Sequence, residues 1–210
     1  MNVRVLSAEF VASASALSQV PAPVGLEIAF AGRSNVGKST LLSALSGQKK
    51  LARISKDPGR TRALVFFEAR LRLTRDSAPE DARLTLVDLP GYGYAKISKS
   101  EAAAWKPLIE GYLRTRPTLR VLLLLVDIRR GVEREERELL EFLAAPPAVE
   151  RTAPVTALVV ATKLDKLARH ERKPAQKKLA DDLGVPVLGV SGESGEGIEE
   201  LWHRLATLCF

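Results

Sequence analysis

Residues Gly32 to Thr40 read GRSNVGKST, which fits the spacing G-x-x-x-x-G-K-[ST] at Gly32, Gly37, Lys38 and Ser39. Glycines let such a loop turn tightly and aim backbone N–H groups inward at a phosphate. The lysine reaches the outer phosphate oxygens, and the hydroxyl can ligate Mg²⁺. The positive end of a following helix adds to the pull on an anion. The flanks are what the motif requires: LEIAFA, Leu26 to Ala31, is an apolar strand-like run, and TLLSALSG after the loop reads as a helix stopped at Gly47. All of Gly32, Arg33, Ser34, Asn35, Val36, Gly37, Lys38, Ser39 and Thr40 are therefore candidate contacts to a nucleotide's phosphates.

Around this loop the chain reads as one sizeable domain, since 210 residues suffice for a single full core. No apolar run approaches the roughly 20 residues of a membrane span. The N-terminus has small residues that imitate a signal-peptide cleavage site, but Glu9 and its serines interrupt any apolar core, so a cytoplasmic protein is expected. The single Cys209 cannot form an internal disulfide and, followed only by Phe210, makes no prenylation box; a core-facing thiol is expected. A net charge of +7 favours polyanionic partners such as RNA or a ribosomal surface, with simple solvation of helix faces as the other reading.

Residues 1–22 read as a leading strand and short helix, an N-terminal extension packed on a domain spanning 23–210. Gln48 to Arg62 has no apolar period and contains Pro58 and Gly59, which predicts a mobile surface loop. Leu64 to Leu73 and Ala82 to Pro90 read as an antiparallel hairpin across the polar turn TRDSAPED. A helix interrupted near Pro107 follows, then the continuous apolar strand RVLLLLVD, a charged helix from Glu133 to Leu143, and the strand of PVTALVVATKLD. A helix from near Pro174 to Gly184, the short strand VPVLGV and a final helix complete the chain; that helix places Ile198, Leu201, Trp202, Leu205, Leu208 and Cys209 on one stripe. Strands alternating with helices predict a three-layer α/β fold, its mostly parallel six-stranded sheet carrying one antiparallel strand, with ligands at the carboxyl ends of the strands.

Three more motifs fall at such ends. Asp88, Leu89, Pro90 and Gly91 form D-L-P-G: Asp88 can hold Mg²⁺ beside Ser39, and the Gly91 N–H can approach a γ-phosphate. Thr162, Lys163, Leu164 and Asp165 form T-K-L-D. Guanine offers N1–H and an exocyclic amine on one edge, which a single carboxylate accepts as a charge-assisted pair, whereas adenine has no such paired donors there. Asp165 thus argues for guanine, with the stem of Lys163 along the base plane. Val190, Ser191 and Gly192 follow the last strand, where their backbone can cap the base edge or merely lead into the helix.

The ordered set GRSNVGKS, PGRT, DLPGYGYA and TKLD resembles the EngB family of bacterial GTP-binding proteins, P-loop G domains of the Ras type, over nearly the whole chain. DLPGYGYA and the leading SAEFVASA are similar to this family in particular. The resemblance implies GTP as substrate and GDP as product, Mg²⁺ held by Ser39 and Thr61 together with Asp88, and nucleotide contacts from Gly59, Arg60, Thr61, Arg62 and Ala63. It further implies a role in assembly of the large ribosomal subunit and links to cell division and septation. Gly192 departs from the Ser or Ala common there; a backbone contact to the base is indifferent to that change.

Phosphoryl transfer at such a site is mostly positioning and charge neutralisation by Mg²⁺ and Lys38, with Thr61 and Gly91 at the γ-phosphate. In Ras-like proteins a glutamine directly after D-x-x-G orients the water; here Tyr92 stands in its place. Slow intrinsic hydrolysis is expected, roughly 10⁻⁴ to 10⁻³ per second. Assistance can come from a partner, from Arg60 or Arg62, or from potassium held by Asn35, although Asn35 also suits a left-handed loop position. Two readings stand: a monomeric switch acting on the large subunit or its rRNA, and a GTP-dependent binding module of cell division with incidental hydrolysis.

Overall fold

A computed structural model describes residues 1–48, 51, 63–75, 78–92 and 99–210, with the backbone over 99–105. The described elements are β1 (Asn2–Ala14), a 3₁₀ turn (Leu17–Gln19), β2 (Leu26–Gly32), α1 (Lys38–Ser46), β3 (Leu64–Arg75), β4 (Ala78–Asp88), α2 (Lys99–Thr115), β5 (Leu119–Asp127), α3 (Arg134–Ala144), β6 (Thr156–Thr162), a second 3₁₀ turn (Leu164–Lys166), α4 (Arg169–Leu183), β7 (Val187–Gly189) and α5 (Ile198–Cys209).

One sheet of seven strands runs in the order β1-β3-β4-β2-β5-β6-β7. β4, β2, β5, β6 and β7 are parallel, and β3 alone opposes its neighbours. The six expected strands with one antiparallel member are thus present, and the leading segment adds β1 as a seventh at the edge. β5 is buried along almost its whole length because helices cover both faces, which is why it reads as an unbroken apolar run.

Alternation along the strands sorts the side chains into two cores. Ile28, Phe30, Leu123 and Leu125 pack with Leu41, Leu42 and Leu45 of α1 and with Leu201, Trp202, Leu205 and Cys209 of α5. Ala29, Ala31, Leu122 and Leu124 pack on the other face with Leu108, Tyr112 and Leu113 of α2 and Leu179 of α4. Each fully buried Leu or Phe contributes about 1.5–3 kcal/mol relative to exposure. Cys209 lies in the core as expected, where burial pushes its thiol up to about 12.

The second core hides a charge. Glu27, on β2, is fully buried and accepts hydrogen bonds from Tyr112 Oη at 2.7 Å and from Arg116 Nε at 2.8 Å. Arg116 also donates to the Pro21 carbonyl at 2.8 Å, linking the end of α2 to the lead-in of β2.

Four expectations change. The hairpin strands extend to Arg75 and Ala78, so both run into the stretch TRDSAPED that was expected to be the turn; pairing of β1 to β3 as far as Asn2↔Thr74 keeps β3 extended. α2 is continuous through Pro107, which sits exposed while Leu108 and Tyr112 hold the buried face that keeps the helix together. α4 starts at Arg169, ahead of the exposed Pro174, because the Glu171 carboxylate accepts the Ala168 N–H at 3.0 Å and satisfies one otherwise orphaned donor. Within the stretch expected to be a mobile surface loop, Leu51 is helical and buried in the α1 core. The rest of that stretch, 49–50 and 52–62, lies outside the described residues.

Candidate nucleotide-binding site

The carboxyl ends of the five parallel strands, Gly32, Asp88, Asp127, Thr162 and Gly189, lie on one side of the sheet. Every described candidate follows from one of them or from the start of α1 or β3.

The phosphate loop is pinned from below. Val36 carbonyl accepts Thr162 Oγ1 at 2.6 Å, and Asn35 carbonyl accepts Lys163 Nζ at 2.6 Å. Asn35 has φ +61°, a left-handed conformation that asparagine tolerates better than most residues. Lys38 opens α1, and its ammonium donates to the Gly32 carbonyl at 3.4 Å. Burial lowers its pKa, while the nearby charge of Asp88 pulls it back up. Ser39 and Thr40 lie in the same first turn, and Asp88 is buried at the end of β4.

Leu89 N–H continues the β4 ladder to the Phe30 carbonyl at 3.0 Å, which carries Pro90 and Gly91 toward the loop. A Cβ on Gly91 would lie 3.0 Å from Lys38 Nζ and 3.1 Å from Ser34 N, so only glycine approaches this closely without displacing a neighbour. Tyr92 bridges to Arg33 through its backbone, and its carbonyl accepts the Ser34 N–H at 2.8 Å. The Tyr92 hydroxyl is buried near Glu136 at the start of α3, and desolvation raises its pKa well above the usual phenol value. A tyrosine so placed is no substitute for a water-orienting glutamine.

At the other end of the site, Lys163 has φ +64°, and its ammonium donates to Asp127 Oδ2 at 2.9 Å as well as to the Asn35 carbonyl. Burial works against the Asp127 anion, but hydrogen bonds from Arg129 and Lys163 outweigh it and hold the carboxyl below its usual range. Asp165 Oδ1 accepts Ser191 Oγ at 2.6 Å, and Oδ2 pairs with Lys166 at 2.9 Å. The Ser191 hydrogen bond is the largest cause of the lowered Asp165 pKa. The sequence reading used Ser191 only through its backbone; its hydroxyl in fact orients the carboxylate. A short hydroxyl side chain in the turn after the last strand was the available signal. Asp127, which steadies Lys163, was also missed.

Gly192 packs on α1: a Cβ there would meet the Thr40 side chain at 3.0 Å and its backbone at 3.1 Å. Its departure from Ser or Ala thus coincides with a tight approach between β7's turn and α1. Val190 is buried and its carbonyl accepts the Leu164 N–H at 3.2 Å, tying the two base-side motifs together. Ala63 is buried just before β3. Gly59, Arg60, Thr61 and Arg62 lie outside the described residues.

The arrangement therefore offers backbone donors and an ammonium for phosphates at one end and an oriented carboxylate for a paired-donor base edge at the other. A family model described as "50S ribosome-binding GTPase" matches residues 27–163. Similar full-length relatives include a "Probable GTP-binding protein EngB" of Hyphomonas neptunium, 44% identical over 96% of this chain and 87% of that protein. One of the same name from Anaeromyxobacter dehalogenans is 41% identical over 99% of this chain and 94% of its own length. Among solved structures, a "probable GTP-binding protein engB" aligns with TM-score 0.61 at 24% identity, covering 87% of this chain and 98% of that one. The FeoB G-domain of Methanococcus jannaschii aligns with TM-score 0.52 at 20% identity over 89% of this chain and 99% of that one; at these identities the likeness is one of fold.

Proposed function

Because the chain belongs to the EngB family of GTP-binding proteins and is a GTPase, we propose that its GTP cycle serves as a switch in assembly of the large ribosomal subunit. Normal cell division and septation then depend on it through that role. The observation that carries the reading is that the stretch matched to a 50S ribosome-binding GTPase, 27–163, holds the phosphate loop, Asp88 and the Asp127–Lys163 contact in one site. The net charge of +7 suits a partner made largely of RNA.

In this reading Gly32 to Thr40 cradle the phosphates, Asp165 accepts the guanine edge, Lys163 lies along the base, and Val190 to Gly192 close over it. The donor set suits Mg²⁺, a hard cation that takes oxygen ligands: the Ser39 hydroxyl and the Asp88 carboxylate supply such oxygens, with Thr61 as the third expected ligand. When bound, the ion neutralises charge on the β- and γ-phosphates. Lys38 adds a second positive charge, and Gly91, packed beside the Lys38 ammonium, offers its N–H to the terminal phosphate. With Tyr92 at the position after D-x-x-G, intrinsic turnover is slow, and the ribosomal partner supplies the acceleration. The chain acts in the cytoplasm as a monomer. No helix among the described residues is long and apolar enough to cross a membrane.

GTP hydrolysis by the purified protein, with and without isolated large subunits, in KCl and in NaCl, tests this. Stimulation by subunits is the expected result. Stimulation by potassium alone, lost in Asn35→Ala, would instead place the missing charge on an ion at Asn35. No stimulation by subunits, combined with ribosome-independent recruitment to the septum, would replace the assembly switch with a division-associated binding module.

A further inference from the structure

Basic side chains are sorted unevenly among the helices. Lys166 to Lys178, thirteen residues, hold six Lys or Arg against the single Glu171, with His170 among them. α3 and α5, by contrast, each hold more acidic than basic residues. Three of the charges around α4 have local partners. Lys166 pairs with Asp165, Arg172 pairs with Glu196 and donates to the Leu167 carbonyl, and Glu171 accepts the Ala168 N–H. Arg169, Lys173, Lys177 and Lys178 are exposed, and among the described residues none of their side chains makes an ion pair or a hydrogen bond.

These cations form a row. Arg169, Lys173 and Lys177 recur every four residues, so they follow one another along one side of α4 in steps of about 6 Å. The helix turns its apolar side the other way: Leu179 is buried, and Ala175 and Leu183 pack against the second core. None of the exposed large apolar side chains of the described surface belongs to α4. A protein interface is anchored by aromatic or apolar side chains that bury against the partner, and a helix lying on a membrane needs an exposed apolar face. The outer side of α4 has neither. A nucleic-acid backbone needs neither, because a row of cations binds it by releasing its condensed counterions.

We propose that the outer side of α4, through Arg169, Lys173, Lys177 and Lys178, docks on the phosphate backbone of RNA, apart from the nucleotide site. The inference rests on the reading of an RNA-rich partner and narrows it to one helix. Such contacts set the protein's position on the RNA without reading its bases.

The test uses the full chain with a non-hydrolysable GTP analogue and Mg²⁺, and two triple variants. One is Lys173→Gln/Lys177→Gln/Lys178→Gln. The other, Arg4→Gln/Arg70→Gln/Lys106→Gln, removes the same charge from exposed positions elsewhere. Binding to isolated large subunits and to a short fluorescent RNA duplex is measured over a series of KCl concentrations. The α4 variant is expected to bind both about tenfold more weakly, and its slope of log affinity against log salt should be lower by about 2 to 3, near one per contact removed. The second variant should keep the parent's affinity and slope, and GDP affinity within about twofold of the parent checks that both variants fold. An α4 variant that binds like the parent, or equal losses in the two variants, overturns the proposal while the RNA-rich partner stands. Loss on subunits with duplex binding unchanged assigns α4 to an acidic protein and overturns it too. Failure of the parent to bind either subunits or duplex refutes the partner reading itself, and the proposal with it.

Discussion

The two ends of the site are held by different chemistry. At the base end, side chains hold side chains: Ser191 on Asp165, and Arg129 and Lys163 on Asp127, all from the adjacent ends of β5, β6 and β7. At the phosphate end, the groups that a phosphate would engage are engaged with the backbone: Ser34 N–H with the Tyr92 carbonyl, and Lys38 with the Gly32 carbonyl. The first arrangement is complete before a nucleotide arrives, so it suits reading which base is present. The second ties a loop amide and the lysine to backbone carbonyls, contacts that a bound phosphate would have to replace.

Substitutions can break or sharpen that division. Lys38→Ala should cost about hundredfold in nucleotide affinity, two charge-assisted contacts at most, with GTP losing more than GDP in calorimetric titration. An equal loss for guanosine, which has no phosphate, would show that the lysine only supports the fold. Asp165→Ala should weaken GTP and GDP alike by about thirtyfold and erase the preference for GTP over ITP, whose base lacks the exocyclic amine. A variant that still prefers GTP would move base recognition elsewhere.

Smaller effects sharpen the same contrast. Ser191→Ala removes one hydrogen bond to a carboxylate and should weaken both nucleotides by about tenfold in parallel. Asp127→Asn keeps one acceptor for Lys163 but removes its charge, and a parallel loss of about threefold is expected. A split between GTP and GDP in either variant would couple the base end to the phosphate count and end the simple division.

The phosphate loop, D-x-x-G and T-K-L-D were legible in the sequence because each depends on residues close together in the chain whose backbone or side-chain needs are specific. Glycine at 32, 37 and 91, and asparagine at 35, record local geometry directly. The Ser191–Asp165 and Asp127–Lys163 contacts join residues 26 and 36 positions apart; a hydroxyl in the turn after the last strand hints at the first, but neither partner can be read from local pattern. Nor does anything local tell that Glu27 is buried with Arg116, 89 positions away. Both helix misreadings came from giving proline more weight than its setting allows: Pro107 and Pro174 sit on the exposed faces of helices whose other faces are held by buried Leu108, Tyr112 and Leu179. The hairpin was read too short because its polar end is held by β1, which a local pattern cannot see.

The sheet's two outer strands have a consequence for the protein in a crowded cell. A long, flat outermost strand is a template on which another chain can add and begin a growing aggregate. β1, at one margin, is interrupted by register shifts between Val5 and Ser7 and between Phe10 and Ala12, so an incoming strand finds no continuous ladder to copy. β7, at the other, is only three residues long. The bulges at one margin and the shortness of the other leave both poor templates for a further strand.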